Sequence, residues 1–226
     1  MGRAVALADL LAAAGSVGST EALAEGAVVL RGFVRGEVPL LVAAIDGIAA
    51  VSPFRHMVTP GGFRMSVAMT SCGEVGWVTD RSGYRYSRQD PATGDPATGR
   101  AWPPMPAVFR SLAAGAAAVA GFAGFAPDSC LINRYEPETR LSLHRDEDER
   151  DLGAPVVSVS LGLPATFLWG GVNRRDRPGR VRLESGDVVV WGGPARLTYH
   201  GIAPLADGDH PLTGRVRFNL TFRKAL

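Results

Sequence analysis

The 226-residue chain is long enough to form one domain around a sizeable hydrophobic core. Its 24 Lys and Arg residues almost balance 22 Asp and Glu residues, and the net charge of +2 excludes binding of nucleic acid through bulk charge. Two cysteines are too few for a disulfide framework, which favours a reducing, cytoplasmic compartment, and no run of 18 apolar residues could span a membrane.

The first half of the chain has mainly helical patterns. Residues 1–20 are alanine-rich and predict a leader that is weakly helical or disordered, rather than a secretory signal. Helices are predicted over residues 39–51, which begin with a proline suited to a first turn, and over residues 107–121. The apolar stripe of the second helix comprises Val108, Leu112, Ala116 and Val119. We expect both helices to support a sheet.

Aromatic residues and arginines are interleaved in a glycine-rich segment between these two helices. Trp77, Tyr84 and Tyr86 lie among several arginines, including Arg85. Because aromatic rings stack on bases and arginines bind phosphates, residues 54–106 suit a lid and insertion over a nucleic-acid substrate. A tryptophan in the core and a basic loop that is only solvated are the alternatives.

One pentapeptide in this segment occurs twice in tandem. Asp-Pro-Ala-Thr-Gly fills residues 90–94 and again residues 95–99. Because both copies are rich in turn-forming residues, we expect a tolerated surface insertion and assign it no role.

From residue 130 onward, short strands are separated by Gly and Pro. The predicted strands are about 130–135, 140–146, 156–163, 165–170, 180–184, 187–191, 196–200 and 214–224. Such a series predicts a sandwich or a jelly roll, so the fold class is mainly β with flanking helices.

Two histidines and one aspartate are candidates for a metal site. His144 and Asp146 are two residues apart on a predicted strand, so their side chains point to the same side. With His200 they supply the facial triad of a non-heme Fe(II) oxygenase, which leaves positions open for a co-substrate and O₂. A hydrolytic zinc site uses the same donors and remains an alternative. His56 and His210 lie beside turns and are expected at the surface.

The last predicted strand has two contrasting faces. Phe218, Leu220 and Phe222 alternate with polar residues that include Arg217 and Arg223. Arginine binds carboxylates through a planar pair of donors, so the polar face suits a dicarboxylic acid. The two arginines are about 20 Å apart along the strand and would have to lean inward to bracket it. A solvent-facing strand is the alternative, but a zinc hydrolase would leave both arginines without a purpose.

Six motifs carry a resemblance to a known family. In chain order they are Leu-Ile-Asn-Arg-Tyr (131–135), Leu-Ser-Leu-His with Asp146 (141–146), Val-Ser-Val-Ser-Leu-Gly (157–162), Gly-Asp-Val-Val-Val-Trp-Gly-Gly (186–193), Tyr-His-Gly-Ile (199–202) and Asn-Leu-Thr-Phe-Arg (219–223). They resemble the bacterial AlkB family of Fe(II)- and 2-oxoglutarate-dependent DNA dealkylases over about residues 21–226. The resemblance implies one dioxygenase domain, a double-stranded β-helix core over about 130–226, and Fe(II), 2-oxoglutarate and O₂ at its open end.

The resemblance also implies a role for individual residues. The metal ligands, which are also the catalytic residues, would be His144, Asp146 and His200. The 2-oxoglutarate contacts would be Asn133, Tyr135, Arg217, Asn219 and Arg223. The substrate contacts would be Trp77, Tyr84, Arg85, Tyr86, Asp148 and Arg174. Among these, the tryptophan would stack on a flipped base, and Asp148 would meet a methylated, cationic base.

The expected activity is oxidative dealkylation of N-alkylated bases, such as 1-methyladenine and 3-methylcytosine, in single- or double-stranded DNA or in RNA. The expected protein is a monomer without a protein or membrane partner. An Fe(II)/2-oxoglutarate hydroxylase of a protein or small molecule is the alternative, and the intact triad argues against a non-catalytic binder. Arg145, between two ligands, departs from the glutamine more usual in the family, and its side chain should point away from the metal.

Overall fold

The computed structural model describes residues 18–95 and 99–226 of the protein. The leader expected over residues 1–20 therefore lies outside the described residues, apart from its last three positions, and so do residues 96–98 of the second pentapeptide. Neither described helix is long and apolar enough to cross a membrane.

Strands predominate in the described chain, and two helices flank them. The first half contains β1 (Thr20–Ala24), β2 (Ala27–Leu30), α1 (Val38–Val51), β3 (Ala68–Gly73), β4 (Gly76–Asp80), β5 (Gly83–Ser87), β6 (Gln89–Asp95), β7 (Gly99–Ala101) and α2 (Ala107–Val119). The second half contains β8 (Ser129–Tyr135), β9 (Leu141–His144), β10 (Val156–Gly162), β11 (Ala165–Trp169), β12 (Gly179–Leu183), β13 (Val188–Trp191), β14 (His200–Ile202) and β15 (Arg217–Arg223).

Two antiparallel sheets form the body of the fold. The larger has the order β1-β2-β13-β10-β15-β8-β3, and the smaller has the order β12-β11-β14-β9. This arrangement confirms the predicted jelly roll with flanking helices. The larger sheet also takes in β1, β2 and β3, which precede residue 130 and were not among the predicted strands. The sequence of β3, Ala-Met-Thr-Ser-Cys-Gly, lacks a hydrophobic alternation although its four central residues are buried.

One predicted strand is wrong in its position. Residues 196–199 are not in a strand, and β14 begins only at His200. The backbone N–H groups of Arg196 and Thr198 are used in turns, donating to the carbonyl oxygens of Gly193 and Ala195. With these donors occupied, the segment cannot form a strand ladder until it reaches the histidine.

Both helices pack against one face of the larger sheet. The apolar face of α1 includes Leu41 and Ile45, and that of α2 includes Phe109, all fully buried. Val119, predicted as part of the α2 stripe, is exposed because it is the last residue of that helix. The helices cover one face of the larger sheet. Its opposite face is directed towards the smaller sheet, and the candidate site lies on that side.

Candidate active site

His144, Asp146 and His200 come together between the ends of two neighbouring strands. His144 is the last residue of β9 and is directly paired with His200, the first residue of β14. Their ring centroids are 4.5 Å apart, and one ligand atom from each of the three residues lies within 4.8 Å of the others. The strand pairing brings the two histidines together, and Asp146, which lies two residues beyond the end of β9 and not on the predicted strand, completes the donor set of two nitrogens and one oxygen.

Backbone contacts orient both imidazole rings towards a metal. The Nδ1 atom of His144 lies 2.9 Å from the carbonyl oxygen of Ser142, and that of His200 lies 3.0 Å from the carbonyl oxygen of Thr198. Because a carbonyl oxygen can only accept, Nδ1 carries the proton and Nε2 keeps a free lone pair. Burial, followed by the charge of His144, lowers the pKa of His200 to about 4, so this ring is neutral at neutral pH.

Asp146 is held by an arginine from the larger sheet. The Nε and Nη2 atoms of Arg223 donate to its two carboxylate oxygens at 3.0 and 2.8 Å. Burial alone would raise the pKa of Asp146, but Arg223 and the two histidines together hold that pKa well below its usual value. The carboxylate is therefore ionised, as a metal ligand must be.

The other histidines and Arg145 do not join this cluster. His56 is exposed, in agreement with the expected surface placement, whereas His210 is half-buried and is paired with Gly214. The guanidinium of Arg145 pairs with Glu147 and lies 5.4 Å from the centroid of a tyrosine ring. Arg145 is therefore no ligand.

A cavity of about 780 Å³ opens beside the triad. Its lining includes Asn133, Tyr135, Asn219 and Arg223, four of the five predicted 2-oxoglutarate contacts. They lie on β8 and β15, which are paired so that Asn133 faces Asn219 and Tyr135 faces Arg217. The polar side chains of β15 therefore turn towards the cavity, while Phe218, Leu220 and Phe222 pack in the core with the helices.

Arg217 lies behind this lining and is fully buried. One of its nitrogens, Nη2, donates to the hydroxyl of Ser160 at 3.0 Å, and the guanidinium lies 5.0 Å from the ring centroid of Tyr135. Its Nε and Nη1 atoms, like Oδ1 of Asn133, have no hydrogen-bond partner among the described residues. Burial lowers the pKa of the Arg217 guanidinium, an effect that Tyr135 opposes.

These unsatisfied atoms fit the co-substrate that the sequence predicts. A buried guanidinium with two free donors is costly unless an anion reaches it. A carboxylate of 2-oxoglutarate supplies such an anion, and the triad offers nitrogen and oxygen ligands that suit Fe(II). The donor chemistry of the site therefore fits both groups.

The predicted substrate contacts fall into two sets. Trp77, Tyr84, Asp148 and Arg174 line the same cavity as the triad. The Trp77 ring stacks on that of Tyr84 with centroids 5.6 Å apart, and its indole N–H donates to Asp148 at 2.8 Å. The first three of these residues are therefore in contact with one another, and Arg174 shares the cavity with them.

Arg85 and Tyr86 do not line the cavity. The guanidinium of Arg85 pairs with Asp80, and the Tyr86 hydroxyl donates to Glu149. Burial raises the pKa of Tyr86 well above its usual value, so this hydroxyl stays protonated. Both residues lie on β5 with Tyr84, but their polar ends are occupied by protein acids.

Two charged residues of the site escaped the sequence analysis. Glu149 and Arg196 are both buried, and a 3.0 Å ion pair joins them. The glutamate lies in an acidic run that resembles a solvated turn, and the arginine lies in a segment predicted as a strand. No local pattern marks either residue, because their burial depends on contacts between distant parts of the chain.

The fold and site define a class of enzyme, and comparison with known proteins agrees. The family model of the 2OG-Fe(II) oxygenase superfamily matches residues 26–223. The chain belongs to this superfamily, which confirms Fe(II), 2-oxoglutarate and O₂ as its cofactor and co-substrates.

The particular relatives are AlkB proteins. The chain is 58% identical over 205 residues to "Alpha-ketoglutarate-dependent dioxygenase AlkB" of Escherichia coli (strain K12), covering 91% of this chain and 93% of that protein. It is 34% identical over 109 residues to "Nucleic acid dioxygenase ALKBH1" of Mus musculus, covering 47% of this chain and 28% of the mouse protein. The solved structure titled "The structure of OsALKBH1" superposes with a TM-score of 0.76 at 30% identity, covering 91% of this chain and all of that chain. These matches confirm the resemblance to AlkB.

Proposed function

We propose that this protein is a dioxygenase that removes N-alkyl groups from nucleic-acid bases. The observation that carries the proposal is the shared cavity, which Trp77 and Asp148 line together with the His144, Asp146 and His200 cluster. A flat aromatic ring and a carboxylate suit a planar, cationic base better than a flexible aliphatic substrate. The names of the relatives, which include a nucleic acid dioxygenase, support the same substrate class.

The residues of the chain divide into binding and orienting groups. The triad would hold Fe(II) through two imidazole nitrogens and one carboxylate, and the buried guanidinium of Arg217 would bind one carboxylate of 2-oxoglutarate. When bound, these groups supply the O₂-dependent hydroxylation of an N-alkyl carbon, after which the substrate releases an aldehyde. Around that centre, Trp77 would stack on the base and the aromatic lid would exclude water.

Asp148 is the residue that would select the lesion. 1-Methyladenine and 3-methylcytosine carry a positive charge, which a neighbouring carboxylate stabilises. A blocked pairing edge also lowers the cost of flipping such a base out of a duplex. Arg174, which lines the same cavity, would contact a phosphate of the strand.

We further propose that residues 21–226 form a single dioxygenase domain, with residues 54–106 as lid, and that the protein acts as a cytoplasmic monomer. Its partners would be alkylated DNA or RNA.

Product analysis tests the proposed function. The protein is incubated with Fe(II), 2-oxoglutarate, air and an oligonucleotide containing one 3-methylcytosine, and nucleosides are quantified by mass spectrometry. We expect conversion of 3-methylcytosine to cytosine, and a large loss of this conversion in Trp77→Ala. Asp148→Asn should lose less activity on a neutral lesion such as 1-methylguanine than on cationic 3-methylcytosine. Succinate formation that is stimulated equally by unmethylated oligonucleotide, without conversion of the lesion, would contradict the proposal and favour a small-molecule or protein hydroxylase.

A further inference from the structure

The β4–β5 hairpin contacts two consecutive acidic residues in the segment that follows the metal ligand Asp146. Trp77 donates to Asp148 at 2.8 Å, and the Tyr86 hydroxyl donates to Glu149. Trp77 and Tyr86 are directly paired across the hairpin. Directly opposite residues of an antiparallel pair project from the same face, so the two contacts move together when the hairpin moves.

Glu149 differs from Asp148 in its surroundings. Asp148 is exposed at the cavity, whereas Glu149 is 7% exposed and lies between two arginines. Its Oε2 accepts a hydrogen bond from Nη2 of Arg196 at 3.0 Å, and its Oε1 lies 3.4 Å from Nε of Arg223. The carboxylate that receives the tyrosine hydroxyl is therefore also the shared partner of both arginines.

The same two arginines hold the metal ligand Asp146. Arg223 donates twice to its side-chain carboxylate, and Nη1 of Arg196 donates to its backbone carbonyl at 2.6 Å. All four charged residues of this network are less than a tenth exposed. Where water is excluded in this way, charge-assisted hydrogen bonds are strong, and a change in one of them alters the geometry of the others.

We propose that Glu149 is a positioning residue that couples occupancy of the lid to the orientation of Asp146. A base that stacks on Trp77 shifts the hairpin, and Tyr86 transmits the shift to Glu149. The two arginines then adjust the side chain and the backbone of Asp146. Asp146 therefore takes its reactive orientation when a substrate base is present. This inference rests on the proposed function, because it requires a base in the cavity.

Tyr86→Phe is the most specific variant, since it removes one hydroxyl and keeps the ring. Thr79→Val is the matched control, because the Thr79 hydroxyl also bonds outside the hairpin, donating to the carbonyl oxygen of Val58 at 3.2 Å, and neither residue lines the cavity. The probe is the Co(II)-substituted protein with 2-oxoglutarate and a 3-methylcytosine oligonucleotide. Its visible absorption spectrum reports the metal ligands, fluorescence anisotropy reports oligonucleotide binding, and succinate formation by the Fe(II) protein reports turnover.

In wild type and Thr79→Val, we expect the oligonucleotide to change the Co(II) spectrum and to stimulate succinate formation. Tyr86→Phe should bind Co(II) and the oligonucleotide as wild type does, yet the oligonucleotide should not change its Co(II) spectrum. The stimulation of succinate formation by the oligonucleotide should be at least about fivefold smaller than in wild type. Substrate-free succinate formation should stay unchanged. The effect therefore falls on kcat with the oligonucleotide and leaves its KM near the wild-type value.

Glu149→Gln supplies an independent check, because the amide keeps an acceptor for Tyr86 but removes the charge that the arginines share. If the two residues act in series, the double variant should respond no less than Glu149→Gln alone. A wild-type response in Tyr86→Phe would overturn the coupling while leaving the proposed function intact. Equal losses of Co(II) binding, oligonucleotide binding and turnover would overturn it in favour of a structural role. No response of the wild-type protein to any methylated oligonucleotide would overturn both.

Discussion

At the scale of single residues, Arg217 and Arg223 show how similar sequence positions acquire different tasks. Both lie on the polar face of β15, and the sequence predicts that they bracket one dicarboxylic acid. In the structure, Arg223 is bound to Asp146, whereas Arg217 keeps two buried donors without a partner. Arg217 therefore has donors free for an anion, whereas both donors of Arg223 that face Asp146 are occupied.

Arg217→Ala should weaken 2-oxoglutarate binding most selectively. Loss of a charge-assisted pair costs about 1.5–3 kcal/mol, which corresponds to an affinity about 10- to 150-fold lower. Titration of 2-oxoglutarate in a succinate assay measures it. Arg215→Ala is the control, since that arginine lies two positions earlier and is exposed with Asp207. An unchanged affinity in Arg217→Ala would mean that the free donors do not face the co-substrate.

Arg223→Ala should weaken metal binding in addition to 2-oxoglutarate binding. The arginine fixes the ligand carboxylate, and loss of a group that orients a ligand typically lowers metal affinity about 10- to 100-fold. Calorimetric titration with Mn(II) in the absence of 2-oxoglutarate separates the two effects, because Arg217→Ala should bind Mn(II) normally. Equal Mn(II) affinities in the two variants would contradict this division of tasks.

At the scale of elements, the tandem pentapeptide is more than the surface insertion predicted for it. Its first residue, Asp90, is fully buried at the start of β6. The carboxylate accepts hydrogen bonds from Ser52, at the C-terminal end of α1, and from Arg55 and the backbone of Ala92. The first copy therefore anchors β6 to the end of α1, and the expected surface position is wrong for Asp90.

Asp90→Asn should destabilise the fold in a pH-dependent way. Burial alone would raise the pKa of Asp90, but the bonds from Ser52, Ala92 and Arg55 lower it. A lowered pKa adds stability above the unfolded value of about 3.9, and this stability is lost as the pH falls below it. At pH 7 the variant should lose about 1.5–3 kcal/mol of unfolding free energy, and the difference from wild type should shrink below about pH 4.

Urea unfolding at several pH values measures this difference. Asp80→Asn is the control, because Asp80 also pairs with an arginine but on an exposed hairpin, where ion pairs contribute little. A constant difference between wild type and Asp90→Asn from pH 7 to pH 3 would show that ionisation of Asp90 does not matter.

The elements themselves were predictable where a pattern is local. The alternation of apolar and polar residues in β10 and β15 and the apolar run in β13 identify strands because each pattern depends only on neighbouring residues. β3 escaped because Thr70 and Ser71 are polar yet buried, a consequence of pairing with β8 rather than of their own chemistry.

At the scale of the whole molecule, two sheets bring together residues that are far apart in sequence. The triad could be predicted because His144 and Asp146 are two positions apart in sequence and few other histidines compete, although β9 ends at His144 and Asp146 lies beyond it. The pairs Tyr86–Glu149, Glu149–Arg196 and Asp146–Arg223 could not, since they join residues 63, 47 and 77 positions apart. The metal triad can thus be predicted from local spacing, whereas the buried hydrogen-bond network that holds it depends on the fold. The roles of the individual contacts remain predictions.

Ligand binding should stabilise the whole domain through the intact triad. At a concentration 100 times Kd, a ligand adds about 2.7 kcal/mol, which for a domain of this size raises Tm by about 5–10 °C. Mn(II) with 2-oxoglutarate should give such a shift in wild type and none in His200→Ala, as measured by differential scanning calorimetry. A shift of equal size in the variant would place the metal elsewhere.

The central claim, oxidative dealkylation at this triad, is tested most directly by measuring formaldehyde and repaired base in one reaction. The substrate is an oligonucleotide with a single 3-methylcytosine, and Fe(II), 2-oxoglutarate and O₂ are each omitted in turn. We predict equimolar formaldehyde and cytosine in the complete reaction of the wild-type protein, and neither product after any omission or in cooperatively folded His144→Ala, Asp146→Ala or His200→Ala. Repair that persists in His200→Ala, or an intact lesion after full turnover of 2-oxoglutarate by wild type, would contradict the claim.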